Sequence, residues 1–206
     1  MATWTVLPDA GFDVGKPITQ AQGLGLKDNP EAMAERATNA PIVQVPFKEY
    51  KLTGTATTWN IPAGVTAFEV HVTGGGGSGD NVASGGDGGT SNFVYDGVTV
   101  QATGGISGYG TGAGGTASGA NLAIAGGSGA TVAGSSNATG QGGSSYYGGP
   151  GAYGSGGEGN AAGDIGGGAG ATAIRRFVVD PVAAAPTFTV GAGGASASSG
   201  LVVIIY

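Results

Sequence analysis

From about residue 50 onward, apolar and polar residues alternate in short runs and never form long helical stripes. In Phe68-Glu69-Val70-His71-Val72 the apolar side chains fall on every second position, as on a strand with one wet face. Asn92-Phe93-Val94-Tyr95 and Val98-Thr99-Val100-Gln101 flank Asp96-Gly97, a pair suited to a two-residue type I′ turn, so a hairpin is predicted there. Further short strands are predicted at Tyr50-Lys51-Leu52-Thr53-Gly54, Thr57-Thr58-Trp59-Asn60-Ile61, Ala173 to Val179 and Thr187 to Gly191, with turns at Pro62-Ala63-Gly64 and Pro181. Leu201-Val202-Val203-Ile204-Ile205 lacks polar alternation and is expected to be a central strand. Seven or eight short strands with Gly and Pro turns predict an all-β fold, a small antiparallel β-sandwich.

Residues 1–48 differ. Trp4, Leu7 and Phe12 are isolated apolar points among turn residues. A short helix is predicted from Asp28 to Ala37, where Asp28 or Asn29 caps the start, Pro30 suits the first helical position and Glu31 favours the positive end. A helix of about eight residues is marginal alone and needs a surface to dock on. Pro41 and Pro46 then keep the chain extended. The predicted organisation is an extended arm, 1–48, followed by a β-domain, 49–206.

Glycine changes this picture. Of the 47 glycines, 37 lie between Gly74 and Gly170, a stretch without a single Lys or Arg. Glycine loses the most backbone entropy on ordering, so a Gly-rich tail would read as a linker. This tract is instead bracketed by strand sequence at both ends, so it must return to the place it left and is expected to be ordered. From Gly142, seven of nine positions taken every third residue to Gly166 are Gly. That period matches an extended helix of three residues per turn, whose backbone groups must pair with neighbouring segments. Polyglycine-type helices and irregular loops on a sandwich are the two forms open to the tract; Pro150, its one proline, excludes collagen.

Charge and chemistry narrow the functions. Charged residues make up 10% of the chain, the net charge is −6, and there is no cysteine. Disulfides and thiolate-held zinc are excluded, and the absence of basic clusters argues against nucleic acid or anionic membrane as partners. No apolar run approaches the ~18 residues of a membrane span, and the N-terminus has no secretory signal pattern, so neither membrane insertion nor export by a leader is expected. Asp80, Asp87, Asp96, Glu158 and Asp164 complete no calcium repeat and read as solvated loop carboxylates. Glu158 and Asp164 could supply a glycosidase pair, but nothing around them predicts the burial that raises one pKa. His71, the only histidine, reads as a surface residue on the wet face of its strand. Neither catalysis nor a cofactor is expected.

The tract's aromatics carry more information. Tyr109, Tyr146, Tyr147 and Tyr153, with Asn137 and Asn160, sit among Gly and Ser, the chemistry of adaptable binding loops whose aromatic faces also suit sugar rings. The competing reading makes the tyrosines wedges between glycine segments, the private core of a block with little else to bury.

From about Tyr50 to Tyr206 the chain resembles the glycine-rich C-terminal domain of bacteriophage tail and fibre proteins. The resemblance rests on Thr58-Trp59-Asn60-Ile61-Pro62-Ala63-Gly64-Val65 leading into Phe68 to Val72 and four glycines, on Asp87-Gly88-Gly89-Thr90-Ser91-Asn92-Phe93, on Thr189 to Gly194 and on the closing Gly200 to Tyr206. The arm is similar to virion-attachment segments in Leu26-Lys27-Asp28-Asn29-Pro30-Glu31-Ala32 and Asn39-Ala40-Pro41. The resemblance implies a virion structural protein, assembled in the host cytoplasm, that acts in host adhesion at a tail fibre. Trp4, Leu26, Asn29, Pro30 and Met33 would then anchor it to other virion proteins. Loops of the tract, through Tyr109, Tyr146, Tyr147, Tyr153, Asn137 and Asn160, would touch host polysaccharide or an outer-membrane protein. A homotrimer is the family habit. A head fibre or capsid decoration, and a tail-associated polysaccharide depolymerase, are the alternatives.

Overall fold

The computed structural model describes residue 29 and residues 48–51, 57–79, 85–108, 112–130, 140–159 and 165–206. The chain divides into two units, Met1–Val45 and Pro46–Tyr206. In the first, Asn29 is helical, and the rest of the predicted helix with Trp4, Leu26, Pro30 and Met33 lies outside the described residues.

The second unit carries β1 (Lys48–Lys51), β2 (Thr57–Thr58), β3 (Ala67–Thr73), β4 (Ser91–Tyr95), β5 (Val98–Ala102), β6 (Ala117–Ser118), β7 (Leu122–Ile124), β8 (Thr172–Val178), β9 (Thr187–Thr189) and β10 (Leu201–Ile205). They form two five-stranded sheets, β1-β10-β3-β8-β7 and β2-β9-β4-β5-β6, antiparallel throughout. Phe68, Val70, Val72, Phe177, Val202 and Ile204 from one sheet face Phe93, Tyr95, Val100 and Phe188 from the other, giving the sandwich its core. Phe68 is the hub, with ring centroids 5.0 Å from Trp59, 5.3 Å from Phe177, 5.4 Å from Tyr95 and 5.9 Å from Phe93. The Tyr95 hydroxyl accepts from the Asp180 N–H at 2.8 Å and donates to the Asp180 carbonyl at 3.2 Å, which ties the β8–β9 connection to the core.

The predicted alternation of β3 and the β4–β5 hairpin are present. Asp96 (φ 49°) and Gly97 (φ 70°) both take the left-handed region that a type I′ turn demands. β10 lies between β1 and β3 and is buried on both faces from Leu201 to Ile204, which explains its unbroken apolar run. β6 and β7 are strands that the sequence pattern does not predict. One extends β5 and the other extends β8, so this short segment crosses from one sheet to the other inside the glycine tract.

The other described parts of the tract are held mainly by backbone hydrogen bonds. Beyond the sandwich run extended segments that are neither α-helix nor strand: residues 74–79, 85–89, 103–108, 112–116, 125–130, 140–145, 154–159, 165–171, 191–194 and 197–200. Each is held by backbone hydrogen bonds to its neighbours. Along residues 166–171 successive N–H groups donate to Ala130, Gly157, Ile106, Gly127, Gly154 and Thr103, so every third donor returns to the same neighbouring segment. The carbonyls of Gly167, Gly168 and Ala169 accept from Gly143, Gly77 and Gly115, three further segments. Residues 74–79 behave alike: Gly74 and Gly77 donate to 165–171, Gly75 and Ser78 to 85–89, and Gly76 to Ser198. The partners of 166–171 and of 74–78 thus recur with a period of three, and 74–79 and 166–171 are buried throughout.

Glycine is required because the segments approach too closely for a side chain. A Cβ on Gly76 would sit 1.8 Å from the Ser155 carbonyl oxygen, and one on Gly156 would sit 1.9 Å from that of Gly167. The third-residue register from Gly142 to Gly166 is not one continuous helix. It spans three segments and a turn in which Gly148, Gly151 and Gly154 have φ of 135°, 87° and 73°.

Candidate functional site

The hydrogen-bond registers fix a direction for eight of these segments. Residues 74–79, 103–108, 125–130 and 154–159 lead away from the sandwich, and 85–89, 112–116, 140–145 and 165–171 lead back to it. The segment ends that flank 80–84, 109–111, 131–139 and 160–164 therefore share one end of the lattice, the end away from the sandwich. The candidates Tyr109, Asn137 and Asn160 fall in these intervals, outside the described residues.

Tyr146, Tyr147 and Tyr153 are elsewhere. They lie in residues 145–153, which join 140–145 to 154–159 at the sandwich end. The connections 90–102, 117–124 and 172–190 at that end contribute strands to the sheets, whereas residues 145–153 fold onto the outer face of the β3–β10 pair. Ser145 organises this turn. Its hydroxyl donates to the Tyr153 carbonyl at 2.6 Å and accepts from the Tyr147 N–H at 3.2 Å, while its backbone exchanges bonds with Gly148 at 2.8 and 3.1 Å. Gly151 N–H donates to the Ser155 hydroxyl at 3.1 Å, and that hydroxyl donates to Ser198 at 3.2 Å.

The three tyrosines divide between structure and exposure. The Tyr147 hydroxyl meets His71 Nδ1 at 3.3 Å, and His71 Nε2 meets Glu69 Oε1 at 2.8 Å. With Nε2 protonated, the imidazole donates to the carboxylate and accepts from the phenol, so one tautomer satisfies both contacts. Tyr146 packs edge-on against Tyr147 at 5.1 Å and against His71 at 6.1 Å. His71 is thus not the open surface residue that its place on the wet face predicts: its side chain is 13% exposed, because the tyrosine turn covers it. Tyr146 (50%) and Tyr153 (41%) remain open to solvent. Between Tyr147 and Tyr153 lies a cleft of about 530 Å³ whose other lining residues are Gly151, Ala152 and Leu201.

The described loop carboxylates Asp87, Asp96 and Glu158 are exposed. Asp87 accepts the Ser107 N–H at 2.8 Å, and Asp96 sits in its turn. Asp80 and Asp164 lie outside the described residues. Among the described residues no group of three acidic or histidine side chains could hold a metal ion, and no helix is long and apolar enough to cross a membrane.

The opposite end of the sandwich has a different character. Lys48 pairs with Ile205 and Ala67 with Val178, so β1 enters the sheet at the end away from the glycine lattice. There the loops after β2 and β8 enclose a hollow of about 470 Å³ lined by Ile61, Pro62, Val65, Val179 and Pro181 among others. Val178 and Val182 nearby are 78% and 88% exposed. No protein family, curated protein or solved structure matches the chain.

Proposed function

We propose that this chain is a bacteriophage virion protein of the tail-fibre kind that attaches the particle to its host by binding rather than catalysis. Residues 1–48 join it to other virion proteins, and the connections of the glycine tract meet host polysaccharide or an outer-membrane protein. It works as a homo-oligomer, a trimer by family habit.

The observation that carries this reading is the polarity of the β-domain. The chain enters the sandwich at one end, and the segment ends that flank four interruptions of the lattice lie at the other. A scaffold built from backbone contacts fixes the segment ends from which those connections depart while leaving the connecting sequences free, which is what a surface of changeable specificity needs.

The test is adsorption. Fluorescently labelled full-length protein should bind host cells saturably and compete with virions, and replacing residues 131–139 by a Gly-Ser linker of equal length should weaken both. Undiminished adsorption by that variant, or none by the full chain, would remove the proposal. Imaging of intact particles separates tail from head, and shortened capsule chains after incubation would identify a depolymerase instead.

A further inference from the structure

We infer that the cleft between Tyr147 and Tyr153 is a preformed site for a single neutral pyranose, separate from the far end of the lattice. The inference rests on the adhesion reading for its biological use, while its chemistry rests on the cleft alone.

Four observations converge. The volume, about 530 Å³, lies within the range of small-molecule sites, roughly 300–1,000 Å³. Two of the five lining residues are tyrosines, and the buried Leu201 adds apolar surface. Apolar and aromatic walls of this kind suit the C–H faces of a sugar ring while its hydroxyls point to water. The Tyr147 ring and the backbone on either side of the cleft are also tied down before any ligand arrives. Tyr147 is tied to His71, Tyr153 is held through its carbonyl by Ser145, and Gly151 is held by Ser155. A ligand that meets groups already ordered avoids the entropic cost of immobilising them.

Charge selects the class of sugar. No cation lines the cleft, the tract from Gly74 to Gly170 has no Lys or Arg, and the carboxylate of Glu69 stands behind the tyrosine turn through His71. An acidic sugar would find no counter-charge on the walls of the cleft to offset the desolvation of its carboxylate, so uronic and sialic acids are disfavoured. Gly151 keeps one side open, since nothing lies within 4 Å of where its Cβ would be.

The experiment is protein-observed NMR on the full chain, titrated separately with the methyl glycosides of glucose, galactose, mannose and N-acetylglucosamine, and with methyl glucuronoside. At least one neutral glycoside should give saturable shifts confined to Tyr147, Tyr153, their turn and the Leu201 methyls, with a Kd of about 1–10 mM. Glucuronoside should bind at least about tenfold more weakly, the equivalent of 1.4 kcal/mol. Tyr153→Ala, at a side chain 41% exposed, should keep the melting temperature and lose at least about tenfold in affinity, while Tyr153→Phe stays within about threefold. No saturable shift with any neutral glycoside, shifts elsewhere, or equal binding by Tyr153→Ala would overturn the site. Host adsorption that persists without cleft binding overturns this inference alone. Cleft binding without host adsorption overturns the adhesion reading alone.

Discussion

Gly168→Ala tests whether the lattice is as unforgiving as its geometry implies. The added Cβ would lie 1.9 Å from the Ala113 carbonyl oxygen, 2.4 Å from its carbon and 2.8 Å from the Gly112 oxygen. Ordinary C···O contacts are about 3.3–3.6 Å, so residues 165–171 and 112–116 must part by more than about 1 Å. Gly168 also donates to Ile106 and accepts from Gly77, both at 2.8 Å, inside a segment with no solvent to replace them. Losing these two bonds, at about 1–3 kcal/mol for each buried group left unpaired, gives about 2–6 kcal/mol. The stiffer unfolded chain returns up to about 1 kcal/mol. A net loss of about 2–5 kcal/mol lowers the melting temperature of a domain this size by roughly 5–20 °C. Gly149→Ala is the control, because its Cβ meets only the Ser144 hydroxyl at 3.7 Å, and it should stay within about 1 kcal/mol of the parent. Gly151→Ala separates clash from backbone strain: its Cβ would touch nothing within 4 Å, but φ is 87°, so a loss of about 1–2 kcal/mol is expected. Near-UV circular dichroism of the full chain during thermal and urea unfolding reads all three. Gly168→Ala melting together with Gly149→Ala would refute the close-packed reading.

Tyr95→Phe removes the hydroxyl that serves both backbone groups of Asp180, and urea unfolding should show a loss of about 1–3 kcal/mol. Tyr147→Ala deletes the contact to His71 and one wall of the cleft, and should destabilise by about 2 kcal/mol. Tyr146→Ala, at a half-exposed ring, should lose less than about 1 kcal/mol. Equal losses at the two positions in the same unfolding assay would contradict the division of roles drawn between them.

The legible parts of this fold are those whose signal is local. Phe68, Val70 and Val72 announce a strand because the pleat forces every second side chain to one face, and Asp96-Gly97 announces a turn because few other pairs accept two positive φ values. Ala117-Ser118 and Leu122-Ala123-Ile124 carry no such signal, since only pairing with β5 and β8 makes them strands. His71 shows a further limit. Alternation reveals which face a residue occupies, not what arrives later in the chain to cover that face. The tyrosines stand out by composition, but their place at the sandwich end follows from segment directions that only the hydrogen-bond registers reveal. The three-residue glycine period is likewise real within segments, yet it overstates continuity, because a turn can keep the count while breaking the helix.

A lattice held mainly by backbone groups has a weakness that ordinary cores lack. Sliding one glycine segment by three residues brings an equivalent set of donors and acceptors into line, so the hydrogen bonds themselves scarcely distinguish correct alignment from a slipped one. What distinguishes them is sparse: Thr73 against Thr172 at 2.8 Å, Ser155 against Ser198 at 3.2 Å, Asp87 against Ser107 at 2.8 Å, and the strands from which the segments emerge. The sandwich therefore acts as the jig for the lattice. Its strands must find their partners first, and segments that zip before then are trapped out of step, so refolding should be slow and branched.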